Sequence, residues 1–160
     1  MRRIMFFLAL AIATSSMYGQ TASDYHSAAE QGDAEAQYFL GLIYNDGETQ
    51  DYTQAVYWFR KAAEQGYAGA QYFLGHYYYM GQGVTEDHTQ AVYWNLKAAQ
   101  QGHAHAMSIL GLFYENGIGV PENKNHALYW YEKSVAGGVD DKSEKVAELK
   151  AAGYKSVKPE

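Results

Sequence analysis

Three tryptophans, Trp58, Trp94 and Trp130, stand 36 residues apart, and each closes the same Ala-hydrophobic-Tyr-Trp string: Ala55 to Trp58, Ala91 to Trp94, Ala127 to Trp130. Four glycines keep the same beat, with Gly32, Gly66, Gly102 and Gly138 at intervals of 34, 36 and 36 residues. Self-similarity at a period of about 20–50 residues marks a repeat architecture. In such a chain each unit buries its apolar face only against its neighbours. The period therefore predicts a solenoid.

Each unit carries two helical patterns. Counted from the alanines that close one Trp string, the units run 28–61, 62–97 and 98–133. The first pattern holds Ala36, Leu40, Gly41 and Tyr44, matched by Ala70, Leu74, Gly75 and Tyr78 and by Ala106, Leu110, Gly111 and Tyr114. Ala, Leu and Tyr at i, i+4 and i+8 form one stripe along a helix. A glycine inside a helix costs about 0.5–1 kcal/mol relative to alanine, so its recurrence at one offset predicts a close approach of two helix backbones.

The second pattern starts at Asp51, Asp87 and Asn123, all N-cap residue types, with Gln54, Gln90 and His126 three positions on. The Asp-x-x-Gln pairs read as capping boxes. Ala55, Trp58 and Ala62 follow on one face, and the helices stop at Gly66 and Gly102, which suit left-handed C-caps. Tyr57, Tyr93 and Tyr129 are as periodic as the tryptophans and are read as core with them. Gly81-Gln82-Gly83 and Gly117-Ile118-Gly119 lie between the two patterns. A phosphate-binding glycine loop needs a preceding strand and a third glycine; both are missing, and the loop glycines read as turn formers.

The N-terminus reads differently. Arg2 and Arg3 precede ten apolar residues, Ile4 to Ala13, and then small and polar residues. That is the layout of a secretory signal peptide, assigned to 1–19 with cleavage between Ser16 and Ala22. Ten residues fall short of the ~20 a membrane-spanning helix needs, so no membrane insertion is expected after cleavage. The sequence has no cysteine, which removes disulfides, thiolate chemistry and lipid attachment through a thiol. Its formal charge of −6 includes Arg2 and Arg3, so the processed chain stands near −8. From Asp24 to Glu122 only Arg60, Lys61 and Lys97 oppose twelve carboxylates. Such a surface repels phosphate backbones, which argues against nucleic acid.

The combined string, Ala-x-x-Gly-x-x-x-Ala-x-x-x-Leu-Gly-x-x-Tyr-x-x-Gly-x-Gly-Val, then Asp, then Ala-x-x-Trp-x-x-Lys-Ala-Ala, resembles the Sel-one-like repeat (SLR) family, a relative of the tetratricopeptide repeats. The match covers about Ala28 to Gly138, and Ala62 to Lys97 fits nearly throughout. The resemblance implies an all-α fold: a right-handed α/α solenoid of three SLR helix pairs with N- and C-terminal capping helices. It implies a periplasmic or secreted scaffold that binds a protein or peptide, expected to be a monomer without cofactor. Some exported relatives are associated with β-lactam binding or hydrolysis. Those relatives tend to be cysteine-paired, and this chain departs from them by having no cysteine. Segment 20–27 reads as the N-terminal cap, 134–152 as a polar capping helix, and 153–160 as a disordered tail.

Catalytic signatures are missing: no Gly-x-Ser-x-Gly elbow, no His-Glu-x-x-His, no Ser-x-x-Lys. His103 and His105 are the closest histidine pair but lack a third ligand, and His26 and His126 read as surface. The side of each first helix opposite the Ala-Leu-Tyr stripe varies between repeats. By analogy with tetratricopeptide stacks that side lines the concave groove. It supplies the candidate binding residues Tyr38, Leu42, Tyr72, His76, Tyr79, Ser108, Leu112 and Glu115. Tyrosine offers large contact area and a hydrogen-bonding tip at low entropic cost, which suits recognition. No catalytic, cofactor or metal residue is assigned. A β-lactam-processing enzyme and a cell-wall glycan binder stand as alternatives, the latter because tyrosines also stack on sugars.

Overall fold

The computed structural model describes residues 23–46 and 50–160; the signal-peptide assignment lies outside them. Helix α1 covers residues 23–30. Six helices of 13 residues each follow: α2 (Ala34–Asp46), α3 (Tyr52–Glu64), α4 (Ala68–Met80), α5 (His88–Gln100), α6 (Ala104–Asn116) and α7 (Lys124–Ala136). A 3₁₀ turn, Asp140–Lys142, leads into the shorter α8 (Ser143–Ala151). Each helix packs chiefly on the one before and the one after, so the molecule is an all-α solenoid.

The tryptophans join the units. Trp58 shares a buried cluster with Ala29, Ala36 and Leu40. Trp94 shares one with Ala63, Ala70 and Leu74, and Trp130 one with Ala99, Ala106 and Leu110. In every case the indole on a second helix meets the end of the preceding second helix and the Ala-Leu stripe of its own first helix. All three indole N–H groups are buried without a partner, so the tryptophans act through area and shape.

The predicted caps form, with one difference. Asp51 accepts from the Thr53 and Gln54 amides, Asp87 from the Gln90 amide, and Asn123 from those of Asn125 and His126. The return half of the capping box is replaced: the Asp51, Asp87 and Asn123 amides donate to the Tyr44, Tyr78 and Tyr114 carbonyls. A backbone bond to the first helix closes the loop and leaves the glutamine side chains free of that task. At the other end Gly66 has φ +94°, its amide donates to the Ala63 carbonyl, and the next amide, of Tyr67, donates to the Ala62 carbonyl, a Schellman ending.

The helix glycines make room for side chains of the facing second helix, and at Gly75 for its backbone as well: a Cβ there would fall 3.1 Å from the Ala91 carbonyl oxygen. A Cβ on Gly41 would fall 2.6 Å from the Phe59 ring, and one on Gly111 would fall 2.5 Å from the Tyr131 ring. At Gly41 and Gly111 the space belongs to a ring of the second helix. In the middle unit that slot holds Asn95, buried beside Gly75 with its Nδ2 donating to the Ala91 carbonyl and its Oδ1 unpartnered. The second glycine of each loop reaches the preceding unit: a Cβ on Gly83 or Gly119 would collide with the backbone of Tyr52 or His88.

Two expectations need correcting at the surface and the C-terminus. Tyr57 and Tyr93 are 49% and 46% exposed, and Tyr129 is half-buried. Each lies edge-on to its neighbouring tryptophan, while Lys61, Lys97 and Lys133 one turn later sit 5.2, 5.1 and 5.8 Å from the ring centres. A residue adjacent to Trp on a helix points about 100° away from it, so these periodic tyrosines face outward. The segment read as a disordered tail is tied back to α7 and α8 through residues 154–157. Tyr154 packs on the cluster of Ala127, Leu128, Tyr131 and Leu149, and the Lys155 and Val157 amides donate to Asn125. Leu149, 3% exposed, anchors α8, while Val146 is only half-buried.

Candidate functional site

The eight candidate residues sit on three first helices, α2, α4 and α6, and the structure separates them into three groups. His76 and Leu112 are exposed. Tyr38, Leu42, Tyr72 and Tyr79 are half-buried and bridge elements. The Tyr38 ring lies 4.7 Å from Tyr67 and 6.1 Å from Phe73, against Gly69. Tyr79 lies 5.3 Å from Phe113 and 5.6 Å from His88. Tyr72 stacks on His103 with ring centres 4.8 Å apart and planes at 22°. Burial raises the Tyr38 and Tyr72 phenol pKa values, with Tyr67 adding to the shift at Tyr38. Both phenols are therefore neutral hydrogen-bonding groups at ordinary pH.

Ser108 and Glu115 are committed elsewhere. Ser108 is 7% exposed, and among the described residues no side-chain base is hydrogen-bonded to it. An acyl-transfer nucleophile needs such a base and an open approach, and Ser108 has neither. Glu115 accepts from the Tyr131 hydroxyl at 2.8 Å and pairs with Lys145 at 3.2 Å, so it ties α6 to α7 and α8. Burial and the Glu115 carboxylate together push the Tyr131 phenol far up. A similar link joins the first two units, where the Tyr77 hydroxyl donates to Asn45 and burial pushes its pKa up to about 12.

The histidines also depart from the surface reading. His26 Nε2 lies 3.2 Å from the Tyr44 hydroxyl and its ring meets Trp58 edge-on; His126 meets Tyr114 edge-on at 5.2 Å. His103 is the N-cap of α6, its Nδ1 accepting from the Ala106 amide at 3.3 Å. Among the described residues no three His, Asp or Glu side chains stand together as a metal site.

Sequence reasoning missed part of the open surface. Ile43 is 36% and Met80 46% exposed on the first helices, at positions held by Tyr77 and Phe113 or by Asp46 and Asn116 in other units. On the second-helix side Tyr93, Trp94 and Lys97 join Ala63, Glu64, Gly66 and Gln71 around an open cleft of about 240 Å³. For Ile43 and Met80 the available signal was the exchange of residue type within an otherwise strict repeat, whereas Tyr93, Trp94 and Lys97 of the cleft recur in every unit and carried no such signal.

The comparisons with known proteins agree with this geometry. The Sel1 repeat model matches residues 34–67, 68–103 and 104–139. The chain belongs to the Sel1 repeat family. The matched units begin at the first helices, six residues after the frame used above, because a period fixes the length of a repeat and leaves its origin open. Among solved structures, a protective antigen of uropathogenic Escherichia coli with an SLR fold is 38% identical, with a TM-score of 0.78 over 84% of this chain. The chain spans 29% of that antigen's length. A Sel1 repeat protein from Oxalobacter formigenes is 38% identical with a TM-score of 0.71 over 79% of this chain and 96% of that one. Cysteine-rich protein B of Helicobacter pylori, at 23% identity and a TM-score of 0.64 over 78% of this chain and 96% of that one, shares the fold. No curated protein matches the chain at a significant level. Sel1 repeat proteins generally bind proteins and act as non-enzymatic scaffolds, and no helix among the described residues is long and apolar enough to cross a membrane.

Proposed function

We propose that this Sel1 repeat protein is an exported, non-catalytic scaffold whose first-helix face takes a protein or peptide segment. The observation that carries this reading is the exposure of His76, Met80 and Leu112 on the first helices, joined by Ile43 at an offset that the buried Tyr77 and Phe113 fill in the other units. At the His76 and Met80 offsets the residue type changes from unit to unit, while the Ala-Leu stripe stays buried in each. Apolar exposure bordered by the aromatic rings of Tyr38, Tyr72 and Tyr79 is the composition of a recognition core. Export rests on the Arg2–Gly19 segment.

A second reading comes from the cleft at Tyr93. An aromatic wall with a carboxylate (Glu64), an ammonium (Lys97) and a small-residue floor suits a sugar ring, whose C–H face stacks while its hydroxyls donate and accept.

The test is crosslinking capture from the native compartment with His76→Glu combined with Leu112→Glu. Both side chains are exposed, so melting should stay within about 2 °C of the parent. Capture should fall at least about tenfold if two central contacts worth ~1 kcal/mol or more are replaced by charges. Undiminished capture sinks the first-helix reading, and loss only with Tyr93→Ala moves the site to the second-helix cleft.

A further inference from the structure

The start of α6 is capped by an imidazole, and an imidazole can cap only while it is neutral. His103 Nδ1 accepts the Ala106 amide, which assigns the ring its N–H on Nε2. The equivalent position in the first unit is Asp33, whose carboxylate accepts the Ala36 amide at 2.7 Å. In the second unit it is Tyr67, which makes no side-chain cap. Of the three first helices, α6 alone among the described residues relies on a cap that can be titrated within the physiological range.

We propose that His103 makes the junction between the second and third repeats acid-labile, loosening the start of α6 and the Tyr72 surface when the ring takes a proton on Nδ1. Three effects act in the same direction. Protonation turns the cap acceptor into a donor, so the Ala106 amide loses its partner. It places a positive charge at the N-terminus of α6, where the helix dipole opposes it. It also sets that charge near His105, whose ring centre is 6.2 Å away. The titratable groups facing His103 are the Tyr72 phenol from α4, stacked on it, and His105 from α6 itself. No carboxylate pairs with it among the described residues to offset the new charge.

The His103 pKa is held below the usual histidine value, first by burial and then by His105, against a smaller opposing backbone hydrogen bond. A folded-state pKa below the unfolded one means the native protein resists the proton. Stability is then fully present above about pH 6.5 and falls as pH drops through the folded value. Any effect on partner capture rests on the first-helix reading above, whereas the acid-labile junction does not.

The experiment needs no partner, so its failure leaves the binding proposal untouched. Melting is followed from pH 7.5 to 5.0 for the parent and for His103→Asn, which caps without titrating. Both proteins keep the other five histidines, so the difference between the two profiles isolates the His103 ring together with its coupling to His105. The parent should lose about 2–4 °C more than the variant over this range, and ring ¹⁵N shifts at pH 7.5 should show the Nε2–H tautomer for His103. Superimposable melting profiles, or an Nδ1–H tautomer in the parent, overturn the proposal. The tautomer is read on the unmodified protein and stands even if the variant folds poorly.

Discussion

Trp94→Ala should cost about 3–5 kcal/mol, as large aromatic truncations in cores do. Trp94 is 9% exposed and shares its cluster with Ala63 of α3 and with Ala70 and Leu74 of α4, so its loss opens a void at the junction of the first two units. Those neighbours cannot collapse to fill it: Ala70 and Leu74 are already fully buried on a helix that also packs on α3. A domain with a few units and a total stability of ~5–15 kcal/mol has little reserve, and a solenoid severed at its middle interface loses cooperation between its ends. Loss of the thermal transition, or a fall in Tm of about 10 °C or more, is the expected result. Trp94→Phe should be milder, since the indole N–H has no partner to lose. A Trp94→Ala protein melting within about 2 °C of the parent would show that the junction is held elsewhere.

Gly111→Ala is the second large effect, and its cause is excess volume. The added methyl would stand 2.5 Å from the Tyr131 ring, which is 2% exposed, packed with Leu128 and Leu149, and tied by its hydroxyl to Glu115. A ring so held cannot swing aside, so α6 and α7 must separate, at a cost of about 1–3 kcal/mol for overpacking. That outweighs the ~1 kcal/mol gained from replacing glycine by alanine inside a helix. The control is Tyr131→Ala: alone it creates a cavity, but combined with Gly111→Ala the two errors partly cancel. A double-mutant cycle on thermal or urea unfolding should give a coupling energy of about 1 kcal/mol or more. Strict additivity would mean that Gly111 does not exist to receive the ring.

The solenoid was legible because its determinants are local and repeated. Trp58, Trp94 and Trp130, the buried Ala-Leu stripes, the Asp51 and Asp87 caps and the Gly66 ending each follow from residue type at a fixed offset on a helix. The candidate site was legible only as a set of positions. His76 and Leu112 are exposed as read, but Ser108 is buried and Glu115 is engaged by Tyr131 and Lys145, partners that lie on other helices. Tyr72 looked like a free anchor until its stacking on His103, 31 positions away in sequence, appeared in the fold.

Periodicity states that positions share an environment without stating which environment it is. Tyr57 and Tyr93 recur as faithfully as Trp58 and Trp94, yet they are 49% and 46% exposed. The sequence by itself determined the unit, its two helices, their caps and the tryptophan joints, because those depend on residue types that recur at fixed offsets from one unit to the next. Only the tertiary structure decided which tyrosines face water, which helix glycine receives a ring and where the tail lies. Those outcomes depend on how far one helix is rotated against the next, and no single repeat encodes that rotation.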